Sequence, residues 1–410
     1  MKKILLLGGS AQQVVAIERA RECGYYTILC DYLPDNPGQY VADEFFLVST
    51  TDKEAVLRLA KDKQIDAIVA YASDPAAPTA AYVAEKMGLP GNPYESVVTL
   101  CHKDLFRNFL KNNGFNTPVS RGYGCVEDAL RDEPLFLYPI IIKPVDSSGS
   151  KGVTVLFDSK DLKNSLEFAF SFSRAGRIVV EKFIERAHPY LIGGDVFVVQ
   201  GKIVLWGLLN CHRDPSVNAL VPVGKSYPLI LDEESLEIAK VTLQELVTKL
   251  NIHNGAMNVE LIIDKDKRCW LIDVGPRNGG NMIPELLGYI FDVDVVNMTL
   301  QAAMGLQVLD CLGEGNGNYA THNLHTNHNG KFVSVWFSDE IAPYILKKSI
   351  YKKPGDFVEY FDNASKAIGI VFLKFDDAQR LDRILKNVDQ HIKVIVETDR
   401  LDIDNEFIEQ

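Results

Sequence analysis

The sequence lacks the features that would direct a protein to a membrane or out of the cell. It has no apolar run of the roughly 20 residues that a membrane helix needs. Met1-Lys2-Lys3 is followed by only a short apolar run, at 4–7, so we expect no signal peptide. The cysteines include no C-x-x-C pair, which argues against a zinc site and for reduced thiols in the cytoplasm. These cysteines are Cys23, Cys30, Cys101, Cys125, Cys211, Cys269 and Cys311.

Positive charge is also scarce. The chain has 43 Lys and Arg against 55 Asp and Glu, and a formal net charge of −12. This balance argues against nucleic acid as a partner, because phosphate backbones are bound by clustered basic residues. A single nucleotide needs only a local basic site and stays compatible with the composition. The length of 410 residues is sufficient for two or three domains.

Two phosphate-binding fingerprints are missing, the Walker A pattern and the G-x-G-x-x-G pattern of dinucleotide sites. Gly8-Gly9 with Asp31 is only a weak hint of a dinucleotide. The first 95 residues instead alternate short apolar runs with helical stretches, which predicts a doubly wound parallel sheet. Gly9, Ser10 and Asp74 follow predicted strands and are candidates for lining a cleft, although a turn or a helix cap is the favoured interpretation of each.

The stretch 138–157 predicts a strand, a loop of small residues and a second strand. Gly149 and Gly152 can adopt positive φ, and successive backbone N–H groups in such a loop can bind an anion. Lys143 and Lys151 flank the loop, so a polyphosphate is the expected ligand. A solvated hairpin turn is the alternative.

Two later strands, at 256–263 and 269–274, are joined by a polar turn and predict a hairpin. Glu260 and Asp273 interrupt their apolar runs, and a charge in such a run is costly unless it is paired or binds a cation. We favour an Mg²⁺ site, because two carboxylates beside phosphates are the usual ligands of Mg²⁺. The alternative is that each carboxylate simply faces solvent.

The remaining periodicity predicts further helices and strands. A helix carrying Lys103 ends near Asn113, and a hairpin is expected over 195–200 and 203–209. The last hundred residues predict a small α+β unit. Helices are expected at 161–172, 235–250, 283–287, 293–304 and 378–388, and strands at 178–185, 331–336, 356–360, 367–374 and 391–396.

Taken in order, these motifs resemble the ATP-grasp superfamily of carboxylate–amine ligases, in the branch of biotin carboxylase, carbamoyl phosphate synthetase and purine biosynthesis. The motifs are Lys103, the Lys143 strand with 147–152, Glu181-Lys182-Phe183-Ile184, Asn258-Val259-Glu260 and Asp273-Val274-Gly275-Pro276-Arg277. The resemblance implies an α/β and α+β multidomain protein. Its parts are a Rossmann-like domain at 1–95, an ATP-grasp domain at 96–310 with a mobile lid at about 120–183, and a small α+β domain at 311–410.

The resemblance also implies roles for individual residues. Lys103 and Lys143 contact the α- and β-phosphates of ATP, and the backbone of Ser148, Gly149, Ser150 and Gly152 covers the β- and γ-phosphates. The adenine edge is bound by Glu181, Lys182, Phe183 and Ile184, and the ribose by His188 or Glu185. Glu260 and Asp273 hold Mg²⁺ or Mn²⁺. Arg277 stabilises the transferring phosphoryl group.

One departure from the family pattern concerns the metal. The family usually has Glu-x-Asn, whereas this chain has Asp273-x-Gly275, and glycine offers no ligand. We hypothesise that Asn258, Asn278 or Asn281 compensates.

The resemblance implies ATP-dependent joining of a small carboxylate, such as an amino acid, to an amine through an acyl phosphate. His212 and Arg213 are candidates for binding the substrate carboxylate or an ATP phosphate, with a solvated loop as the alternative. The alternative functions are a purine-pathway carboxylase or formyltransferase and a non-catalytic nucleotide-binding protein. A homodimer is possible, and no nucleic acid is expected.

Overall fold

The computed structural model describes residues 1–308 and 313–398. The chain forms two compact units, described separately below. Unit 1 comprises Met1–Asn210 and Leu229–Glu314, and unit 2 comprises Cys211–Pro228 and Gly315–Gln410. The predicted boundary at 310/311 and Cys311 lie outside the described residues. Within the described ranges, no helix is long and apolar enough to cross a membrane.

Unit 1 begins with a four-stranded parallel sheet in the order β3-β2-β1-β4, as the alternation of apolar runs and helical stretches predicts. Its elements are β1 (Lys3–Leu7), α1 (Val14–Glu22), β2 (Tyr26–Asp31), β3 (Glu44–Leu47), α2 (Lys53–Lys63), β4 (Ala67–Val69) and α3 (Ala77–Met87). The Gly9 N–H donates to Asp31 Oδ2 at 2.7 Å. This diglycine turn is therefore closed by the carboxylate that a dinucleotide site would need for ribose.

Two helices and an antiparallel sheet follow. The predicted single helix around Lys103 is two helices, because His102 has extended φ and ψ angles and breaks the helical path. The sheet has the order β5-β8-β6-β7, and β6 and β7 form the predicted strand–loop–strand. These elements are α4 (Tyr94–Cys101), α5 (Lys103–Asn112), β5 (Ser120–Tyr123), α6 (Val126–Arg131), β6 (Ile140–Pro144), β7 (Thr154–Leu156), α7 (Leu162–Ser171) and β8 (Ile178–Lys182).

The remaining strands of unit 1 lie in the order β13-β12-β9-β10, and β10 leaves the unit after Asn210. Gly194 has φ of +139°, and a Cβ there would lie 2.0 Å from the Gly207 carbonyl oxygen, so only glycine allows β9 and β10 this close approach. These elements are β9 (Leu191–Val199), β10 (Lys202–Asp214), α8 (Glu233–Lys249), β12 (Gly255–Ile263), β13 (Cys269–Gly275), α9 (Ile283–Phe291) and α10 (Val295–Ala303).

Unit 2 is an α+β structure with strands in the orders β11-β14-β18-β16 and β17-β15-β19. Its elements are β11 (Asn218–Tyr227), β14 (Asn318–Leu324), β15 (Gly330–Phe337), β16 (Ile345–Ile350), β17 (Phe357–Val358), β18 (Gly369–Phe375), α11 (Ala378–Lys386), α12 (Val388–His391) and β19 (Ile392–Glu397). The predicted mixed α/β class is confirmed. The domain boundaries, the lid and the arrangement of the domains remain predictions.

Candidate active site

The two predicted metal ligands lie side by side. Glu260 on β12 is directly opposite Asp273 on β13 in the antiparallel pairing, with an irregularity directly after Glu260. Both side chains are partly exposed. Burial raises the pKa of the Asp273 carboxyl, but the positive charges of Lys103, Lys143, Arg107 and Arg277 outweigh burial and hold that pKa below its ordinary value. The carboxylate is therefore ionised, which is the form that a metal ion needs.

Lys103 joins the glycine loop, residues 147–152, to the metal strand. It is the first residue of α5, and its backbone N–H donates to the Val145 carbonyl oxygen at 2.9 Å. Its Nζ donates to the Ser147 carbonyl oxygen at 2.9 Å and lies 3.4 Å from Asp273 Oδ2. The extended conformation of His102 thus begins a new helix where the ammonium group can reach both elements.

Lys143 belongs to a buried charge cluster that also contains Glu181 and Arg107, and Arg107 was not among the predicted site residues. Its Nζ donates to Glu181 Oε2 at 2.8 Å, across the paired strands β6 and β8. Arg107 Nε donates to Glu181 Oε1 at 2.6 Å, and both side chains of this pair are only 2% exposed. Two cations therefore share one carboxylate.

Arg107 also binds the metal strand. Its Nη1 donates to the Leu271 carbonyl oxygen at 3.0 Å, and its Nη2 donates to the Ile272 carbonyl oxygen at 2.7 Å. Arg107 therefore ties β8 to the backbone immediately before Asp273. A sequence signal existed, because Arg107 is one helical turn from Lys103 and lies beside the buried residues Phe106 and Leu110.

The Glu181 carboxylate predicts a pH dependence of stability. Burial raises its pKa, but Arg107 and Lys143 outweigh burial and lower the pKa from 4.5 to about 2. Because the folded-state pKa is depressed, this stabilisation is present above pH 4.5 and is lost as the pH falls towards 2. We expect Glu181 to contribute about 3 kcal/mol to that loss.

The measurement is the free energy of urea unfolding between pH 6 and pH 2, compared for the wild type and Glu181→Gln. Glu245→Gln, on the exposed face of α8, is the matched control. Identical pH slopes for Glu181→Gln and the wild type would show that this carboxyl is not held ionised by its two cations.

Three residues of the glycine loop have positive φ, the left-handed backbone conformation that glycine adopts readily. Gly149, Ser150 and Gly152 have φ of 66°, 63° and 72°. A Cβ on Gly152 would lie 2.8 Å from Pro144 Cγ, so a side chain there would also collide with the end of β6. The Ser147 hydroxyl donates to the Lys151 carbonyl oxygen at 2.8 Å and closes the turn. The phosphate role of Ser148 and its neighbours remains a prediction.

Several residues that the resemblance assigned to the nucleoside already have partners within the protein. The Phe183 N–H donates to the Pro139 carbonyl oxygen at 2.9 Å, which continues the β6–β8 pairing, so this N–H does not face an open adenine site. Lys182 Nζ donates to the Tyr138 carbonyl oxygen at 2.9 Å. The adenine roles of Glu181, Lys182, Ile184 and the Phe183 carbonyl oxygen remain predictions.

The ribose role of His188 remains a prediction, and both ring nitrogens already have partners within the protein. Its Nδ1 hydrogen-bonds to the Tyr190 carbonyl oxygen, and its Nε2 accepts from the Ile263 N–H at 3.1 Å. Burial lowers its pKa, which keeps the ring neutral and fits an accepting Nε2. Both ring nitrogens are used to join 188–190 to β12. Glu185 is exposed and remains the other candidate for the ribose.

Arg277 is paired with Asp74. Its Nε donates to Asp74 Oδ1 at 2.7 Å, its Nη2 donates to Asp74 Oδ2, and its Nη1 donates to the Asn278 carbonyl oxygen at 3.0 Å. A Cβ on Gly275 would lie 2.5 Å from Asp74 Oδ1. The glycine in place of the usual asparagine therefore leaves room for the Asp74 carboxylate.

Gly9 and Ser10 lie in the turn before α1, where Ser10 N–H donates to Gln13 Oε1 at 2.9 Å.

The asparagines proposed to compensate for Gly275 differ in position. Asn258 lies directly opposite Gly275 in the β12–β13 pairing, and its Nδ2 donates to Asp195 Oδ1 at 2.9 Å. Asn278 is buried, and its Oδ1 accepts from the Thr299 hydroxyl at 3.1 Å. The Asn281 N–H donates to Gln12 Oε1 at 2.6 Å. Of the three, Asn258 is the best placed for a metal beside Glu260.

His212 and Arg213 belong to unit 2. His212 Nε2 hydrogen-bonds to the Ser226 hydroxyl at 2.8 Å, and Arg213 Nη1 donates to the His212 carbonyl oxygen at 3.3 Å. Burial, together with the charges of Lys225 and Arg213, lowers the pKa of His212 to about 4. A neutral His212 contributes no positive charge for an anion at pH 7. Their role in substrate binding remains a prediction.

Comparison with known proteins identifies the middle of the chain. Residues 136–285 match the family model of the ATP-grasp domain. The chain contains an ATP-grasp domain. The matched range includes Lys143, Glu181, Glu260, Asp273 and Arg277, so these residues, which the sequence interpretation singled out, belong to the ATP-grasp domain.

The relatives of this chain include carbamoyl phosphate synthase large chains. The chain is 25% identical over 262 residues to the carbamoyl phosphate synthase large chain of Thermotoga petrophila, a match that covers 63% of this chain and 23% of the large chain. It therefore spans about a quarter of the length of such relatives.

Two solved structures share the fold. An L-amino acid ligase from Bacillus licheniformis has a TM-score of 0.81 at 19% identity, covering 97% of this chain and 99% of that chain. The biotin carboxylase domain of Hydrogenobacter thermophilus 2-oxoglutarate carboxylase, solved with MgADP and bicarbonate, has a TM-score of 0.74 at 16% identity, covering 96% of this chain and 91% of that chain.

Proposed function

We propose that the protein is an ATP-dependent ligase that joins a carboxylate to an amine through an acyl phosphate and releases ADP and phosphate. The observation that supports this proposal best is the convergence of opposite charges. Lys103 Nζ lies 3.4 Å from Asp273 Oδ2, the charge of Lys143 also acts on Asp273, and Glu260 lies opposite Asp273 in the strand pairing. A magnesium-bound polyphosphate needs this combination of cations and carboxylates.

We propose that Glu260 and Asp273 hold Mg²⁺ or Mn²⁺, with Asn258 as a third ligand in place of the absent side chain at Gly275. Phosphate oxygens and water complete such a site, so two or three protein ligands fit it. Among residues 1–308 and 313–398, no group of three or more His, Cys, Asp and Glu side chains forms a metal cluster by itself. This fits a cation that arrives with the nucleotide. When bound, Mg²⁺ neutralises charge on the β- and γ-phosphates.

The remaining side chains position the reactants. Lys103 and Lys143 contact the α- and β-phosphates, and Arg277 offsets charge on the phosphoryl group as it moves to the substrate carboxylate. The acyl carbon of the resulting acyl phosphate is then attacked by the amine, and phosphate leaves. The glycine loop covers the phosphates and excludes water, which would otherwise hydrolyse the acyl phosphate.

The test is a screen for ADP release with Mg²⁺, in which ATP is combined with pairs of amino acids, with aminoribonucleotides and with each compound alone. We expect release that depends on both an acid and an amine, with a coupled product detected by mass spectrometry. Dependence on an aminoribonucleotide would instead support the purine-pathway function. Tight ATP binding without release by any pair would support a non-catalytic protein.

A further inference from the structure

The side of the Arg277 guanidinium formed by Nε and Nη2 is already occupied in this structure. Asp74 takes two of its nitrogens in a bidentate pair, and the two side chains are 21% and 12% exposed. Bidentate geometry is the arrangement in which an arginine also binds a carboxylate ligand. A substrate carboxylate that uses the same fork must therefore displace Asp74.

The position of Asp74 is fixed by its surroundings. The Ala77 N–H donates to the Asp74 carbonyl oxygen at 3.3 Å, so the residue lies in the turn that begins α3. Its Oδ1 lies above Gly275, which is two residues from Asp273 on β13, and residues two apart on a strand share a face. The ion pair therefore lies on the same face of β13 as Asp273.

Displacement would leave Asp74 without a cation. Within the described ranges, Arg277 is the only Lys or Arg that forms an ion pair with Asp74. Asp195 and Asp273 add further negative charge near Arg277, and the cation beside Asp273, Lys103, is already paired with it at 3.4 Å. A partly buried carboxylate that loses its partner is strongly disfavoured. A ligand that brings only an anion would thus break one ion pair for each pair that it makes.

A zwitterion avoids this cost, because its carboxylate replaces Asp74 on Arg277 while its ammonium replaces Arg277 on Asp74. We propose that Asp74 is a specificity-determining residue that binds the ammonium group of an amino-acid substrate whose carboxylate is held by Arg277. This inference rests on the proposed function and specifies its acid substrate. Asp74 as a ligand of the divalent metal is the competing outcome of the test.

The experiment compares the wild type with Asp74→Asn, which keeps the shape of the side chain and removes its charge. Each of the twenty amino acids is assayed for ADP release beside the carboxylic acid of the same skeleton without the amine. We expect Asp74→Asn to lower the preference for the amino acid, in kcat/KM, by about 10- to 100-fold, the usual effect of losing a hydrogen bond between charged groups. Glu44→Gln, which removes a carboxylate bonded to Lys63 and Tyr26, is the matched control and keeps the preference.

A binding measurement separates this inference from the proposed function. Calorimetry with a non-hydrolysable ATP analogue measures amino-acid binding without turnover, and unfolding midpoints check that both variants are folded. ADP release with an unchanged preference in Asp74→Asn would overturn the role of Asp74 and leave the ligase proposal intact. Binding that depends on Asp74, without ADP release by any pair, would support the role and overturn the ligase. An equal rise in the Mg²⁺ requirement for both kinds of acid would make Asp74 a metal ligand and overturn the inference.

Discussion

Arg107→Met is expected to destabilise the protein by about 3–5 kcal/mol, the usual cost of removing one partner from a buried ion pair. Arg107 is 2% exposed and donates to Glu181 and to two carbonyl oxygens of β13. Without it, Glu181 keeps only Lys143, and the Leu271 and Ile272 carbonyl oxygens lose a charged donor. The measurement is the free energy of urea unfolding at pH 7.

The matched control for this prediction is Arg268→Met. Arg268 pairs with Asp264 and Asp266 but is 51% exposed, so we expect a loss below about 1 kcal/mol. The double variant Arg107→Met with Glu181→Leu should recover part of the loss, because it removes the stranded carboxylate together with its partner. A loss for Arg107→Met no larger than for Arg268→Met would contradict the view that Arg107 joins the two sheets.

Lys143→Ala is expected to lower the rate of ADP release by at least about 10²–10³, the usual effect of removing one preorganised donor to a developing charge. The Lys143 ammonium is held by Glu181 at 2.8 Å and is largely buried, so its position is set before a nucleotide binds. Glu260→Ala should reduce ADP release to a similar extent, because only one carboxylate, Asp273, would be left beside Asn258 to hold the metal. Steady-state ADP release with saturating acid and amine is the measurement.

Lys267→Ala is the matched control for the loss of a lysine. Lys267 lies in the turn between β12 and β13 and pairs with Asp232 and Glu234 at a partly exposed site. It should release ADP at the wild-type rate. Near-wild-type release by Lys143→Ala or by Glu260→Ala would refute the phosphate and metal roles assigned to these residues.

The strands and helices of the first parallel sheet could be predicted, because each has a clear apolar pattern of its own. β1, β2 and β4 are short apolar runs, and the helices between them have the expected period. β11 and β14 were not predicted as strands. Pro222 and Gly224 favour a turn when β11 is considered alone, and Asn318–Leu324 has no clear apolar alternation. These two strands form because they pair with each other, and that contact is distant in the sequence.

In the candidate site, too, contacts between residues close in the sequence could be predicted, whereas distant contacts could not. Glu260 and Asp273 could be predicted as neighbours, because a hairpin places them opposite each other and each interrupts an apolar run. The spacing of Arg107 from Lys103 places both on one helix face, but it could not reveal the role of Arg107, because its partners lie 74 to 165 residues away. An arginine in an amphipathic helix suggests a solvated face. The partner of His188 Nε2, the Ile263 N–H, likewise lies far away in the sequence.

Unit 2 is formed by two separate segments of the chain, and this has a consequence for folding during biosynthesis. Val221 and Val223 pack into a small apolar cluster with Phe361 and Ala367, and all four residues belong to this unit. During translation at about 5–20 residues per second, the two valines emerge on the order of ten seconds before their partners. In that interval β11 has neither its β14 neighbour nor its apolar cover. The nascent chain therefore exposes the apolar side chains of β11. A chaperone that binds this strand should raise the yield of folded protein.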